Sequence, residues 1–150
     1  MRIAGEPLKC SFNNGHGARY VIFVQGCAHH CKGCQNPDTW DFNGGVEMDV
    51  EEISRDYIAE CNKKHGLLDG ITLSGGDPFY QQSECLKLMQ LLPLDNFWIY
   101  TGFEWNEIRD TELAKAADAV VTGPFIEELK CEGKCYGSLN QEVHFKGEKI

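Results

Sequence analysis

Four short apolar runs, each closed by a glycine or cysteine motif, constrain most strongly how this chain can fold. Arg19-Tyr20-Val21-Ile22-Phe23-Val24 is apolar throughout after its arginine, as a strand buried on both faces should be. Gly26 and Cys27 follow almost at once. Gly70-Ile71-Thr72-Leu73 runs into Ser74-Gly75-Gly76-Asp77-Pro78, and Phe97-Trp98-Ile99-Tyr100 into Thr101-Gly102. Ala119-Val120-Val121 runs into Thr122-Gly123-Pro124. Between the runs, apolar residues recur at helical spacing. Val50, Ile53, Tyr57, Ile58 and Cys61 make one stripe, with Asp49 and Glu52 in capping-box positions at its start. Cys85, Leu86, Leu88, Met89 and Leu92 make a second, stopped by Pro93. Asn106 to Ala117 reads as a third helix, and Val143-His144-Phe145 as a last short strand. Strands alternating with helices predict an α/β fold of parallel strands joined by helical crossovers. Ligands bind such sheets at the C-terminal ends of the strands. The four motifs are therefore expected on one rim.

The first motif carries the most chemistry. Cys27, Cys31 and Cys34 have the spacing C-x3-C-x2-C. A structural zinc site closes four ligands around the ion, and ordinary ferredoxin clusters use cysteine four times. Three cysteines on a four-iron cubane leave one iron open to bind another molecule. His29 and His30 sit between the cysteines, too near in sequence to reach easily across a cubane, and are expected on a solvated or partner-facing loop. In Ser74-Gly75-Gly76-Asp77-Pro78, two glycines after a strand let the backbone approach a ligand closely and adopt positive φ. Amides and carbonyls exposed there could hold an ammonium group. Trp40 either shields the cysteine site from solvent or packs as an ordinary aromatic.

With 150 residues the chain is long enough for one domain, residues 1–150, with its own core. Its 42% hydrophobic and 25% charged content is that of an ordinary soluble globular protein. No apolar run nears the roughly 18 residues of a membrane span, and the first residues lack an apolar signal core. The expected address is the cytoplasm, with no membrane partner. A net charge of −9 without a basic stripe argues against a nucleic-acid partner. In a reducing compartment, eight cysteines read as metal or redox sites rather than as a disulfide framework. Cys61 and Cys85 lie on the apolar stripes and behave as small buried hydrophobes. Cys131 and Cys135 remain open between plain thiols, a redox pair, and a second metal site to which Cys10 and His144 would have to contribute. The acidic run from Glu47 to Glu52 reads as a solvated helix start.

Several motifs together resemble the glycyl-radical-enzyme activases of the radical S-adenosylmethionine superfamily. Asn13-Asn14-Gly15-His16-Gly17-Ala18-Arg19 is similar to their Asn-Gly-Pro-Gly-x-Arg lead-in, and Gln35-Asn36-Pro37-Asp38-Thr39-Trp40 to their Asn-x-x-Thr-Trp stretch. Leu73 to Phe79, Tyr100-Thr101-Gly102-Phe103 and Gly137-Ser138-Leu139-Asn140-Gln141 match three further motifs in order. Gln35 where the family has Tyr, Cys135-Tyr136 where it has an aromatic and Arg, and Thr122-Gly123 where it has Asp-Gly are departures. They bear on the partner more than on the cluster.

The resemblance implies an open, partial βα barrel and a [4Fe–4S] cluster on Cys27, Cys31 and Cys34. It implies S-adenosylmethionine on the open iron, contacted by Gly33, Cys34, Gln35, Ser74, Gly75, Gly76, Asp77, Thr101, Gly102, Thr122 and Gly123. The implied activity is reductive cleavage of that cofactor, fed by an electron donor such as flavodoxin, to install a glycyl radical on a partner enzyme. Length and motif order point to an anaerobic ribonucleotide reductase as that partner. No side-chain general base is needed. Other readings are a radical enzyme acting on a different protein or a small molecule, an iron–sulfur electron carrier, and a zinc-binding module. A partner's glycine loop is expected to enter between Cys27–Cys34 and Tyr136–Gln141, with Phe79 and Phe103 exposed at the mouth.

Overall fold

The computed structural model describes residues 1–148. Its elements in chain order begin with β1 (Arg2–Ile3), β2 (Leu8–Ser11), β3 (Arg19–Val24), β4 (Val46–Glu47), α1 (Val50–Lys63) and β5 (Gly70–Gly75). They continue with α2 (Gln82–Leu91), β6 (Phe97–Tyr100), α3 (Trp105–Ile108), α4 (Glu112–Ala116), β7 (Ala119–Thr122) and β8 (Glu142–Phe145). The four apolar runs become adjacent parallel strands in the order β3-β5-β6-β7. β3 and β5 pair over six residues, from Arg19 opposite Gly70 to Val24 opposite Gly75. Antiparallel strands finish both edges: β1 and β2 on β3, β4 on β1, and β8 on β7.

Side-chain alternation sorts each strand between two faces. Tyr20, Ile22, Val24, Ile71, Leu73, Ile99 and Val120 join Ile53, Tyr57, Leu88 and Leu113 of the helices in one core. Burying a leucine such as Leu88 there contributes about 2 kcal/mol. The intervening residues face the other way. Trp98, Ala119 and Val121 form a small second cluster with Val143 and Phe145, while Phe23, Ser74 and Tyr100, nearer the strand ends, line a cavity. At the opposite ends of the strands the buried Arg19 guanidinium donates to Asn96 Oδ1 at 2.8 Å and to the Ile71 carbonyl at 2.6 Å. Burial lowers its pKa. Among the described residues no helix is long and apolar enough to cross a membrane.

The helical stretch expected from Asn106 to Ala117 is two short helices, α3 and α4. Glu104 and Glu107 form a capping box at the start of α3, and the Thr111 hydroxyl accepts from the Ala114 N–H, so the chain caps itself anew. At α1, Asp49 is the N-cap residue but its side chain makes no capping bond. The Glu52 N–H instead bonds the Asp49 main-chain carbonyl, at 3.0 Å. Ile58 of the predicted stripe is 47% exposed. The edge strands β1, β2 and β4 carry too few residues for a readable period.

Candidate functional site

β3 ends at Val24, and the chain turns through Gly26 at φ 106°. The Gly26 N–H bonds the Thr39 carbonyl at 2.7 Å and the Cys27 N–H the Trp40 carbonyl at 3.2 Å. The Gln25 amide donates to the carbonyls of Asp38 (3.0 Å) and Asp41 (2.7 Å), fastening the loop from within. On this loop Cys27 is buried, and Cys31 and Cys34 are half-buried. A turn joins the last two, Cys34 N–H to Cys31 carbonyl at 3.1 Å. The Asn36 N–H donates to Cys34 Sγ at 3.4 Å. Burial pushes the Cys27 thiol up. A bound cation reverses that preference, because a ligating thiol is held as thiolate.

The glycine pair after β5 packs directly on this loop. The Gly76 N–H bonds the Val24 carbonyl at 2.7 Å, and the Asp77 N–H bonds the Gly26 carbonyl at 2.9 Å. A Cβ on Gly76 would overlap the Gly26 carbonyl oxygen, and one on Gly75 (φ 95°) would lie 2.6 Å from Phe23 Cα. Chain packing alone therefore demands both glycines.

Asp77 is fully buried. Its carboxylate accepts from the Phe79 N–H (3.0 Å), the Gly102 N–H (3.0 Å) and the Thr101 hydroxyl (2.7 Å), and it meets His29 Nε2 at 2.7 Å. That hydrogen bond raises the His29 pKa above its ordinary value, against the opposing pull of burial. His30 is exposed, as expected of a solvated loop, while His29 is half-buried. His29 sits edge-on to Phe103 at 4.6 Å, and His30, at φ 50°, stacks on Trp40 at 4.7 Å. A buried carboxylate needs donors, and aromatic faces attract the flat imidazole.

A cavity of about 540 Å³ opens at the C-terminal ends of the parallel strands, within the range of small-molecule sites. Cys27, Cys31, Cys34 and Gln35 line it from the loop, together with Trp40. Ser74, Gly75 and Gly76 line it from β5, Thr101 and Gly102 from the end of β6, and Gly123 from the end of β7. The opposite wall is residues 131–137 with Gln141, and Asn13 and Asn14 complete the enclosure. Three residues expected at a cofactor are off the wall. Asp77 is enclosed by its own donors. Thr122 is buried beside His144, at 3.2 Å. Gly33, at φ 75°, faces the Glu127 carboxylate, 2.8 Å from where a Cβ would lie. Next to it Lys32 pairs with Glu127 at 3.5 Å and Glu128 at 3.4 Å, holding the cysteine loop to the segment after β7.

The model of a family described as a 4Fe-4S single cluster domain matches residues 13–144. Among similar proteins is the anaerobic ribonucleoside-triphosphate reductase-activating protein of Enterobacteria phage T4, 32% identical over 140 residues covering 89% of this chain and 88% of the relative. Proteins of the same name from Salmonella typhi and Vibrio cholerae are 35% and 36% identical, each over 87% of this chain and 90% of the relative. The chain belongs to this family of reductase-activating proteins.

The donor set of this family member fits an iron–sulfur cluster. Three soft thiols line one wall of one cavity, and one of them already accepts an amide hydrogen bond. Among the described residues, no three His, Cys, Asp or Glu side chains converge tightly enough for a single metal ion. The set imagined for a second metal is scattered: Cys10 is exposed on β2, and His144 stacks on Trp105 at 4.2 Å. Cys61 packs against the core and Cys85 lies within it, its thiol pushed far up by burial.

Trp40 both lines the cavity and stacks on His30. Phe79 is buried, not exposed at the mouth, because the turn after Asp77 directs it into the helical core. Phe103 is half-buried on His29. The half-exposed aromatics nearby are Phe42 and Tyr80, 5.2 Å apart. The sequence did not show that Cys131 and Cys135 reach the cavity, since their stretch has no period to place it.

Proposed function

We propose that this protein is a radical S-adenosylmethionine activase that installs a glycyl radical on an anaerobic ribonucleoside-triphosphate reductase. The observation that carries the reading is the meeting of Cys27, Cys31 and Cys34 with Ser74-Gly75-Gly76 around one cavity at the ends of parallel strands. The relatives' shared name supplies the partner. We take the sheet, with helices on its outer face, as an open partial βα barrel around that cavity.

When bound, a [4Fe–4S] cluster, which Cys27, Cys31 and Cys34 would hold, would supply the single electron for reductive cleavage of S-adenosylmethionine to methionine and the hydrogen-abstracting power directed at the partner's glycine Cα. The electron comes from a one-electron donor of the flavodoxin kind. The chain's own residues bind and orient. Cys27, Cys31 and Cys34 would hold the cluster. The main chain of Ser74–Gly76 presents polar groups to the methionine moiety beside them. Asp77, with His29, Thr101 and Gly102, positions both loops rather than touching the cofactor. Gln35, Thr101, Gly102 and Gly123 shape the rest of the cofactor's wall, and Trp40 screens the cysteines from water.

The test is anaerobic reconstitution followed by reduction with S-adenosylmethionine present. The expected result is about four irons per chain, stoichiometric methionine and 5′-deoxyadenosine, and a glycyl radical signal once the reductase is added. Cofactor cleavage without a radical on the reductase would redirect the reading to another substrate. An intact cluster without cleavage would reduce the protein to an electron carrier.

A further inference from the structure

Of the chain's eight cysteines, five line this cavity: Cys27, Cys31, Cys34, Cys131 and Cys135. The proposed chemistry uses three. We propose that Cys131 is a fourth, displaceable ligand of the cluster, holding the open iron until S-adenosylmethionine arrives and releasing it when the cofactor binds. The inference rests on the cluster reading above and adds a resting state to it.

Placement favours it. Lys32 and Gly33, between the second and third cysteines, touch Glu127 and Glu128. Cys131 follows Glu128 by three residues, a reach of about 10 Å at most in extended chain. The loop that carries it is closed at its base by main-chain hydrogen bonds. There the Cys131 N–H bonds the Gly137 carbonyl at 3.0 Å, the Leu139 N–H bonds the Leu129 carbonyl at 2.9 Å, and Lys130 bridges to Ser138. Its tip, Glu132-Gly133-Lys134, is exposed, with open space around Gly133.

The two thiols of the loop are not equivalent. The Tyr100 hydroxyl donates to the Cys135 carbonyl, and Cys135 packs against the Trp98 cluster. Cys131 belongs to neither apolar cluster and its Sγ makes one weak contact, 3.7 Å to the Tyr136 carbonyl, so its side chain is the freer to turn inward. Thiolate is a preferred ligand of iron–sulfur centres, and four cysteines are the ordinary closed set. Ligation releases the thiol proton to solvent and displacement takes one back. The cluster's electron count does not change. The closed form would keep other small ligands off the iron.

The experiment compares full-length reconstituted parent, Cys131→Ala and Cys135→Ala by Mössbauer spectroscopy and by EPR of the reduced cluster, with and without S-adenosylmethionine. The expected result is that Cys131→Ala retains the parent's iron content but differs spectroscopically without cofactor. The two become alike once it is added, and Cys135→Ala follows the parent throughout. Cofactor affinity should also tighten in Cys131→Ala, by about tenfold if the closed form outweighs the open nine to one. Identical cofactor-free spectra in parent and Cys131→Ala would overturn the proposal while leaving the cluster reading intact. A change confined to Cys135→Ala would overturn the assignment to Cys131. A parent that takes up no iron would overturn the cluster reading and this inference with it.

Discussion

The same four parallel strands present two faces held by different physics. On the helical face Ile22, Leu73 and Ile99 meet Ile53, Tyr57 and Leu88, and non-directional apolar burial does the holding. On the cavity side, the strand ends are held by main-chain hydrogen bonds, two side-chain-free glycines and one buried carboxylate with four partners. Burial tolerates exchange of one apolar residue for another of similar volume. A hydrogen-bonded backbone turn with no room for a Cβ does not. The helical face should therefore set stability and the cavity side should set metal loading, and the two should respond separately to substitution.

The largest effect expected is at the cysteines. Replacing Cys27, Cys31 or Cys34 with Ala should abolish the stable cluster while the apo protein keeps the parent's circular dichroism and melting temperature. Iron analysis after reconstitution measures the first and a thermal melt the second. Full iron in all three variants would end the comparison, because the cavity would no longer be the metal face.

Gly76→Val comes next and separates two roles. A side chain at this position meets the Gly26 carbonyl, next to Cys27, so iron retention itself should fall severalfold. If iron stayed complete and only cofactor affinity fell, the glycine would serve the ligand and not the packing of the two loops.

Leu88→Ala probes the opposite face. Leu88 is fully buried in the helical core, and its truncation should cost about 3 kcal/mol in urea unfolding. Iron per folded chain should be unchanged. A loss of iron at temperatures where the variant is still folded would show that the two faces are coupled through the strands.

The smallest effect belongs to the Lys9–Asp56–Tyr20 contact, which joins β2 to α1 and β3 on the helical side. Burial would raise the Asp56 pKa, but its hydrogen bonds from Lys9 and Tyr20 outweigh that and lower it below the ordinary 3.8. A lowered carboxylate pKa adds stability above the unfolded value, and the gain is lost as pH falls through the folded one. At a partly exposed site the contribution is about 0.5 kcal/mol. Asp56→Asn should be weaker than the parent by that amount near neutral pH and converge with it below pH 3.8. Denaturant titrations across pH 2–7 would check this, and a constant gap would assign the effect to shape instead of charge.

The sequence by itself determined what local physics controls. Alternation and apolar runs placed the four central strands. The spacing of Cys27, Cys31 and Cys34 marked a three-thiol loop, and Gly75 fell where positive φ was required. These signals live within a few residues of one another. Tertiary structure decided whatever depends on segments distant in the chain. Asp77 looked like a cofactor contact, yet its carboxylate is enclosed by groups contributed from residues 29 and 101–102. Gly76 is glycine because Gly26, fifty positions earlier, leaves no room for a Cβ. Cys131 reaches the cavity because the segment after β7 folds back on itself, through hydrogen bonds from Cys131 to Gly137, from Ile126 to Ser138 and from Gln141 to Gly123. Hydrogen bonding and steric exclusion act over a few ångströms, and only the closed sheet brings those residues that near.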